Sequence, residues 1–492
     1  MVADSEFHDI LIIGAGLSGI NAAHILREEL PNRTFTIVEA RSVIGGTWSF
    51  FRYPGFRSDS SMTTFGLDWF PWKEDHLMGQ GHEITKYLEE AATQDGTMKQ
   101  IRFCHKVLDC SWSSEEGVWT LLMDADGERK TFKANFVLAC TGYYSYDKAM
   151  EATIPGIDYF AGQVVHPQWW PEDMDYTNKR VVVVGSGATA VTIIPSLAEK
   201  AAQVTMLQRS PSYVASQPTH SLVRKMLRLM LPERWSHWIC WWKDVLFEFT
   251  ISQMMLNFPS VGKFILDLGL KQELPKHISA DPHFQPRYNP FEQRLCLCPD
   301  GDFFKALGQG NCDVVTDTID TVNADGILLK SGQKLPADII VTATGLYFQT
   351  LGGMHPQVDG QAITPGNRYT WRGCMLEDLP NMGFVMGYVT TSWTPGATLM
   401  TKTLVRVIKE MEKTGATAVV PELERYSGMP EKLAVDATSN YFVKATDRIP
   451  KTTGKGAWYG RVSLWVDASA LIFGNFKQGL KFVGGGESKK NL

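Results

Sequence analysis

The chain has 492 residues, of which 44% are hydrophobic and 21% charged, and its formal net charge is −5. At about 150 residues per domain this length predicts two to four folding units of ordinary globular composition. A net negative charge leaves no basic surplus to neutralise phosphates, so we predict no nucleic-acid partner. No apolar run reaches the ~18 residues of a membrane span. The acidic start does not resemble a signal peptide, and we predict a cytoplasmic protein.

Eight cysteines are scattered along the chain. Two of them, Cys296 and Cys298, alternate along a predicted strand, and this spacing does not suit a zinc pair. We therefore predict free thiols in a reducing compartment and no metal site.

The first element is a strand, a glycine turn and a helix. An apolar run at residues 9–13 leads into Gly14, Gly16, Ser18 and Gly19, and a helical pattern continues to Leu30. These glycines permit a tight turn, close approach of backbone amides to a pyrophosphate, and packing of helix on strand. A second strand, residues 34–38, ends in Glu39, whose carboxylate can accept hydrogen bonds from ribose hydroxyls. The pattern predicts a dinucleotide-binding α/β fold.

Residues 44–59 are too rich in glycine, proline and aromatic side chains for a regular element, and we predict an ordered loop that covers a cofactor ring. Within the loop, Arg57 and Asp59 also fit a solvated surface ion pair. Residues 82–94 are predicted helical. Three alternating runs within residues 101–137 predict a small antiparallel sheet, whose last strand leads into a Thr-Gly turn at Gly142.

The nucleotide signal then repeats. A strand at residues 179–184 precedes the turn Gly185, Ser186, Gly187, Ala188, Thr189, Ala190 and a helix that begins at Val191. The next strand, residues 203–207, is followed by Arg209 and Ser210 where the first unit has its acid. Since arginine suits a 2′-phosphate, the second cofactor is predicted to be NADP rather than NAD. The alternative is an exposed arginine in an NAD site.

Residues 217–283 are dense in Trp, Met, Leu and Phe and are predicted to be helical. A stripe with spacings of three and four residues comprises Trp235, Trp238, Trp242, Leu246 and Phe249. We interpret it as the core-facing side of a helix. The alternative is a lid over an apolar substrate or a peripheral contact with a membrane.

Residues 159–171 link the two nucleotide signals and are predicted to form a rigid loop. The apolar run at residues 338–345, which ends in an Ala-Thr-Gly turn, returns the chain to the first fold. We therefore predict two Rossmann-like domains, the second inserted into the first. Residues 1–150 and 340–492 form the first, residues 151–216 and 284–339 form the second, and residues 217–283 are a helical insertion. A turn at residues 381–394, followed by a helix over residues 397–414, is predicted to carry a cofactor ring at the helix N-terminus. No structure is predicted for residues 422–476.

Four motifs together resemble the type I Baeyer-Villiger flavin monooxygenases, and most closely the ethionamide-activating subgroup. They are Phe160-x-Gly162-xxx-His166-xxx-Trp170-Pro171, Gly45-Gly46-x-Trp48-xxxx-Tyr53-Pro54-Gly55-xxx-Asp59, residues 289–297, and Ser392-Trp393-Thr394. One position departs from the prototype enzymes, which carry lysine where this chain has Gln293. The departure removes one predicted contact to the NADP phosphate.

The resemblance implies two cofactors and their residues. FAD would be held by Gly14, Gly16, Ser18, Gly19, Glu39, Gly46, Thr47, Trp48, Asp59, Val107 and Trp393. NADP would be held by Gly185, Ser186, Gly187, Ala188, Thr189, Ala190, Val191, Arg209 and Ser210, with Arg57, Ser58 and Asp59. Arg294 would be catalytic, tuned by Asp59, because an always protonated side chain stabilises a negatively charged flavin peroxide. His166 is expected to couple NADP binding to domain closure rather than to act in catalysis.

The activity implied is an FAD- and NADPH-dependent Baeyer-Villiger monooxygenase. It would convert hydrophobic ketones to esters or lactones with dioxygen through a C4a-peroxyflavin, and oxidise thioethers as a side activity. One alternative is an N- or S-oxygenating flavin monooxygenase, which Trp170 and Pro171 disfavour. Another is an inactive flavoprotein that binds membranes or partners through residues 217–283.

Overall fold

The computed structural model describes residues 5–150, 152–293, 295–388, 391–435, 440–460 and 463–484. Its contacts divide the chain into two compact units. Unit 1 comprises Met1–Ser49, Thr85–Ser145 and Phe348–Leu492, and unit 2 comprises Phe50–Ile84 and Tyr146–Tyr347. The domain boundaries given above stay a prediction.

The helices are α1 Leu17–Glu29, α2 Thr47–Phe50, α3 Met62–Phe65, α4 Gly81–Gln94, α5 Ala188–Ala198, α6 Leu222–Met230, α7 Glu233–Asn257, α8 Pro259–Glu273, α9 Ala280–His283, α10 Asp302–Leu307, α11 Trp393–Thr414, α12 Asn440–Val443 and α13 Leu464–Phe473. The strands of the first half are β1 Glu6–Ile13, β2 Phe35–Val38, β3 Ile101–Arg102, β4 His105–Ser113, β5 Val118–Ala125, β6 Glu128–Ala139, β7 Tyr144–Ala149, β8 Gln163–Val165, β9 Arg180–Val184, β10 Gln203–Gln208 and β11 Val214–Gln217. Those of the second half are β12 Cys296–Pro299, β13 Cys312–Thr316, β14 Ile319–Asn323, β15 Gly326–Leu329, β16 Lys334–Pro336, β17 Ile339–Thr342, β18 Leu346–Phe348, β19 Gln357–Val358, β20 Gln361–Ala362, β21 Thr370–Trp371, β22 Met375–Leu376, β23 Met382–Phe384, β24 Ala418–Pro421, β25 Lys432–Leu433, β26 Lys451–Thr452 and β27 Leu480–Val483.

The sheet of unit 1 is built around β1, which pairs in parallel with β2 and β6. Three successive residues of β1, Ile10, Leu11 and Ile12, are at most 1% exposed, because both faces of the central strand are covered. The strands β4, β5 and β6 form the antiparallel meander that the sequence predicts. In space the meander begins beside the end of β2, where the His105 amide donates to the carbonyl oxygen of Glu39.

Unit 2 contains a five-stranded parallel sheet in the order β13-β10-β9-β17-β8. The predicted mixed α/β fold, with parallel sheets and a helical region, is therefore confirmed. One part of the prediction is wrong: residues 159–171 are not loop throughout, since Gln163–Val165 forms the edge strand β8 beside β17. A strand of three residues shows too little hydrophobic alternation to be recognised from the sequence.

The linker motif is shaped by close packing within unit 2. A Cβ at Gly162 would lie 2.4 Å from the carbonyl oxygen of Asp338 and 2.7 Å from the ring of Phe160. Trp170, 9% exposed, packs into the core that the parallel sheet shares with α5. These three motif positions therefore serve the packing of the sheet.

The helical region is present as predicted, but the core-facing interpretation of its stripe is wrong for three of the five residues. Trp235, Trp238 and Leu246 are 59%, 55% and 48% exposed. Helical spacing identifies an apolar face but not whether another element covers it. In the described part of the chain, no helix combines the length and apolar composition that a bilayer span requires.

We expect Gly162→Ala to lower the thermal unfolding temperature, because the added methyl meets backbone on one side and an aromatic ring on the other. Overpacking of this kind costs about 1–3 kcal/mol. The matched control is Gly269→Ala in α8, where a Cβ meets nothing within 4 Å. Alanine there raises stability by up to about 1 kcal/mol. Calorimetry that found the two variants equally stable would contradict the packing role of Gly162.

Candidate functional site

The first glycine turn connects β1 to α1 and is closed by backbone contacts. Gly14 has a φ of 104°, and a Cβ there would lie 2.6 Å from the carbonyl oxygen of Cys140. A Cβ at Gly19 would lie 1.9 Å from the carbonyl oxygen of Gly14. Gly16 precedes α1, whose first turn carries no acidic residue. The free amides at this helix start therefore fit the phosphates of a dinucleotide.

Glu39 lies at the end of β2, directly beside this turn. Its carboxylate is 7% exposed and accepts hydrogen bonds from the amides of Ala15, at 2.8 Å, and Arg41, at 2.9 Å. Each oxygen keeps a further lone pair, so the carboxylate can still accept from ribose hydroxyls. Val107 is half-buried on β4 and follows His105, whose amide donates to the carbonyl oxygen of Glu39.

A residue that the sequence analysis missed, Arg41, holds the predicted cofactor loop. Its guanidinium donates to the carbonyl oxygen of Gly46 at 3.2 Å, and to the hydroxyl and carbonyl oxygens of Ser49, both at 2.9 Å. Thr47 and Trp48 open the short helix α2 between these two acceptors. Arg41 thus fixes residues 46–49 beside the glycine turn, and its only sequence signal was its position two residues after Glu39.

Ser18 and Trp393, both predicted to bind FAD, meet in the structure although 375 residues separate them. The indole Nε1 of Trp393 donates to the hydroxyl of Ser18 at 2.9 Å. The Trp393 ring also stacks on Tyr143, with 5.3 Å between centroids and 15° between planes. The starts of α1 and α11 are therefore neighbours within unit 1.

We expect Glu39→Gln to weaken FAD retention about tenfold or more. Glutamine offers one acceptor where two amides donate, so one buried amide loses its partner at a cost of about 1–3 kcal/mol. The measurement is the ratio of flavin to protein after gel filtration, with Glu28→Gln on the exposed side of α1 as control. Full flavin content in Glu39→Gln would remove the carboxylate from the cofactor site.

The second glycine turn, in unit 2, repeats the geometry of the first. Gly185 has a φ of 143°, and a Cβ there would lie 2.3 Å from the carbonyl oxygen of Ala343. Gly187 precedes α5, and a Cβ there would meet nothing within 4 Å, so space is open above the helix start. The helix then runs through the remaining predicted positions, Ala188, Thr189, Ala190 and Val191, with no acid in its first turn.

Arg209 lies beside this turn, just after β10. The register pairs Leu207 with Val184, and the Gly185 amide donates to the carbonyl of Leu207 at 2.9 Å. Arg209 is exposed and forms no ion pair with any residue that the structure describes. Ser186 donates to the carbonyl oxygen of Ser210 at 3.0 Å, and its hydroxyl lies 3.1 Å from that of Ser212, which sequence reasoning missed. The residues predicted to bind NADP in the second fold thus converge at one edge of the sheet.

The loop that carries Arg57 and Asp59 packs on the same unit. A Cβ at Gly55 would lie 2.5 Å from the hydroxyl of Ser196 in α5. Arg57 is not the solvated surface residue that one interpretation described, because its side chain is 13% exposed and lies 2.7 Å from Asp302. Burial raises the pKa of Asp302 more than Arg57 lowers it. Asp302 was missed because its partner is 245 positions away.

The three remaining residues predicted for this part of the site differ in where the structure places them. Ser58 is 2% exposed and its hydroxyl donates to the carbonyl oxygen of Ser60, so it serves its own loop. Asp59 is half-buried. Arg294, the predicted catalytic residue, lies outside the described residues.

His166 lies after β8 and caps a short helical turn. Its Nδ1 accepts from the Gln168 amide at 3.2 Å, and burial lowers the pKa of the imidazole, which favours the neutral ring. Nε2 is buried, and interaction with the backbone of Gly345 raises the pKa by less than burial lowers it. Its proposed role in domain closure stays a prediction.

Cys296 and Cys298 are buried free thiols on β12, as predicted.

Comparison with known proteins defines the class of this fold and site. Residues 8–278 match the FMO-like family, described as flavin-binding monooxygenase-like. The chain is 42% identical over 472 residues to the FAD-containing monooxygenase EthA of Mycolicibacterium smegmatis, covering 95% of each chain. It is 40% identical over 477 residues to the probable FAD-binding monooxygenase AlmA of Acinetobacter baylyi, covering 96% of this chain and 95% of the relative. The chain therefore belongs to the flavin-binding monooxygenase-like family.

Solved structures agree at the level of the fold. The cyclohexanone monooxygenase from Rhodococcus sp. Phi1, bound to NADP+, aligns with a TM-score of 0.73 at 19% identity, covering 98% of this chain and 100% of that chain. The predicted resemblance to the flavin monooxygenases, and to the EthA group among them, is thus confirmed, as is the predicted enzyme class, a flavin monooxygenase. The cyclohexanone monooxygenase shares the fold.

Proposed function

We propose that the chain is a Baeyer-Villiger monooxygenase that uses FAD, NADPH and dioxygen to convert hydrophobic ketones into esters or lactones. Oxidation of thioethers is the side activity. The main supporting observation is the pair of glycine turns beside strands that end in opposite charges, with buried Glu39 in unit 1 and exposed Arg209 in unit 2. This pairing suits one dinucleotide with bare ribose hydroxyls and one with a 2′-phosphate.

The residues of unit 1 bind and orient the first cofactor. FAD, when bound, supplies electron transfer and the activation of dioxygen. Glu39 accepts from the ribose hydroxyls with the lone pairs that Ala15 and Arg41 leave free. The free amides after Gly16 hold the pyrophosphate, and Trp393 orients the hydroxyl of Ser18 by the hydrogen bond described above.

In unit 2, Arg209 binds the 2′-phosphate of NADPH, assisted by Ser210. Its guanidinium has no competing ion pair among the described residues and lies next to the turn at Gly185. Arg57 contributes less to the binding of the same cofactor, because its charge is already neutralised by Asp302.

Arg294 is proposed as the catalytic cation on the strength of the sequence match at residues 289–297. Its role is to stabilise the negative charge that develops on oxygen during the reaction, since a guanidinium stays protonated at any working pH. Asp59 is proposed to position it.

The function is tested by turnover with a long-chain ketone. We expect NADPH oxidation that depends on the ketone, with ester detected by gas chromatography and little peroxide released. Oxygenation of amines or thioethers without any ester would favour the N- or S-oxygenating class. Bound flavin without substrate-dependent NADPH oxidation would favour an inactive flavoprotein.

We expect Arg209→Ala to raise the NADPH concentration needed for half-maximal flavin reduction by about 10- to 100-fold. The loss of hydrogen bonds to a charged phosphate costs about 1.5–3 kcal/mol. NADH, which lacks the 2′-phosphate, should reduce the variant as it does the parent protein. Lys200→Ala removes an exposed cation of the same unit and serves as control. Equal losses with both nucleotides would show that Arg209 does not recognise the phosphate.

We expect Arg294→Ala to retain FAD and its reduction by NADPH while ester formation falls at least 100-fold, the typical loss when a charge-stabilising group is removed. Arg294→Lys keeps a positive charge and should recover part of the activity. The measurement compares anaerobic flavin reduction with ester yield. An unchanged ester yield in Arg294→Ala would exclude the residue from the mechanism.

A further inference from the structure

Helix α6 of unit 2 is oriented with its apolar face towards solvent. Four side chains at spacings of four, seven and eight residues lie on one stripe: Leu222, Met226, Leu229 and Met230, exposed by 79%, 62%, 81% and 75%. The buried residue of α6 is instead a cation, Arg224, which is 8% exposed and donates to the carbonyl oxygen of Trp72 at 2.5 Å. This arrangement is the reverse of an ordinary surface helix.

The two following helices repeat the pattern. On α8 the exposed side chains are Val261, Phe264, Ile265 and Leu268, at 46%, 62%, 42% and 44%. On α7, Trp235 and Trp238 near the start are joined by Leu246 and Phe247 further along. Of the large apolar side chains exposed in the described part of the chain, more than half lie between residues 222 and 268. An apolar surface of this extent marks contact with something other than water.

The charged side chains on the same helices are predominantly cationic. Between residues 222 and 273 the exposed charges are Lys225, Arg234, Lys243, Lys263 and Lys271 against Glu233 and Glu273. Lys243 and Lys271 pair with Asp244 and Asp267. Lys225, Arg234 and Lys263 form no ion pair with described residues. This basic excess stands in a chain whose net charge is −5.

We propose that α6, α7 and α8 dock on the surface of a bilayer that contains anionic lipids, and lie in its interface without spanning it. Basic amphipathic helices bind such surfaces through buried apolar area and attraction to anionic headgroups. Tryptophan is enriched at this interface, because its ring is apolar and its indole N–H is polar. A second copy of the chain is the less suitable occupant, since lysine is depleted at protein–protein interfaces.

This proposal depends on the exposed helices alone and not on the proposed monooxygenase activity. It is tested with the purified full chain and sedimented vesicles, either of phosphatidylglycerol mixed with phosphatidylcholine or of phosphatidylcholine alone. We expect binding to the mixed vesicles, weaker binding to the neutral ones, and a decrease with ionic strength. Absence of binding to the mixed vesicles would overturn the proposal.

The apolar contribution is tested by combining Leu229→Ser, Met230→Ser and Phe264→Ser. We expect at least a tenfold loss of binding to the mixed vesicles, because each apolar side chain no longer enters the interface. The matched control is Phe473→Ser, which removes an apolar side chain that is 84% exposed in unit 1. Equal losses in the triple variant and the control would overturn the assignment of the surface.

The charge contribution is tested by Lys225→Ala with Lys263→Ala. Each removed cation is expected to weaken binding about fivefold. Lys402→Ala, an exposed cation on α11, is the control. Size-exclusion chromatography supplies the competing outcome. A dimer that the triple variant abolishes, without vesicle binding by the parent protein, would assign the surface to a second copy and overturn the membrane proposal.

Discussion

Both candidate cofactor sites depend on the same constraint, the close approach of two backbones at the carboxyl edge of a parallel sheet. In unit 1 the Cα of Gly14 faces the carbonyl of Cys140, and in unit 2 that of Gly185 faces the carbonyl of Ala343. A side chain at either glycine would separate neighbouring strands and displace the helix that follows. Since α1 and α5 present their free amides from these positions, the two candidate phosphate sites depend on the strands remaining in contact.

The two candidate sites differ in the charged residue at the end of the strand beside the glycine turn, which is Glu39 after β2 and Arg209 after β10. Glu39 is buried and partly occupied by two backbone amides, which fixes its carboxylate before any cofactor arrives. Arg209 is exposed, and an exposed side chain loses more conformational entropy than a buried one when a ligand orders it. A pre-organised acid suits a cofactor that stays bound, whereas an exposed arginine suits one that exchanges.

Much of this arrangement could be predicted from the sequence, because glycine turns and the charge after the second strand are local patterns. The predicted strands over residues 9–13, 34–38 and 179–184 all have counterparts in the structure. The contacts of Arg57 with Asp302 and of Trp393 with Ser18 join distant parts of the chain, and only the fold brings them together. The orientation of α6–α8 was not predictable for a related reason: an apolar stripe is identical in sequence whether it faces a core or solvent. The three residues of β8 are too few to show a period.

The ion pair between Arg57 and Asp302 makes the two arginines of the proposed NADP site differ in how strongly they attract dissolved anions. An arginine that is paired with a carboxylate of the protein binds few small anions from solution. A phosphate that binds such an arginine displaces the carboxylate rather than a dissolved anion. Arg209, which has no such internal partner among the described residues, attracts dissolved anions freely. Within the proposed NADP site, chloride, sulfate and inorganic phosphate should therefore compete at Arg209 rather than at Arg57, and the buffer anion would affect any discrimination between the two nicotinamide nucleotides that Arg209 provides.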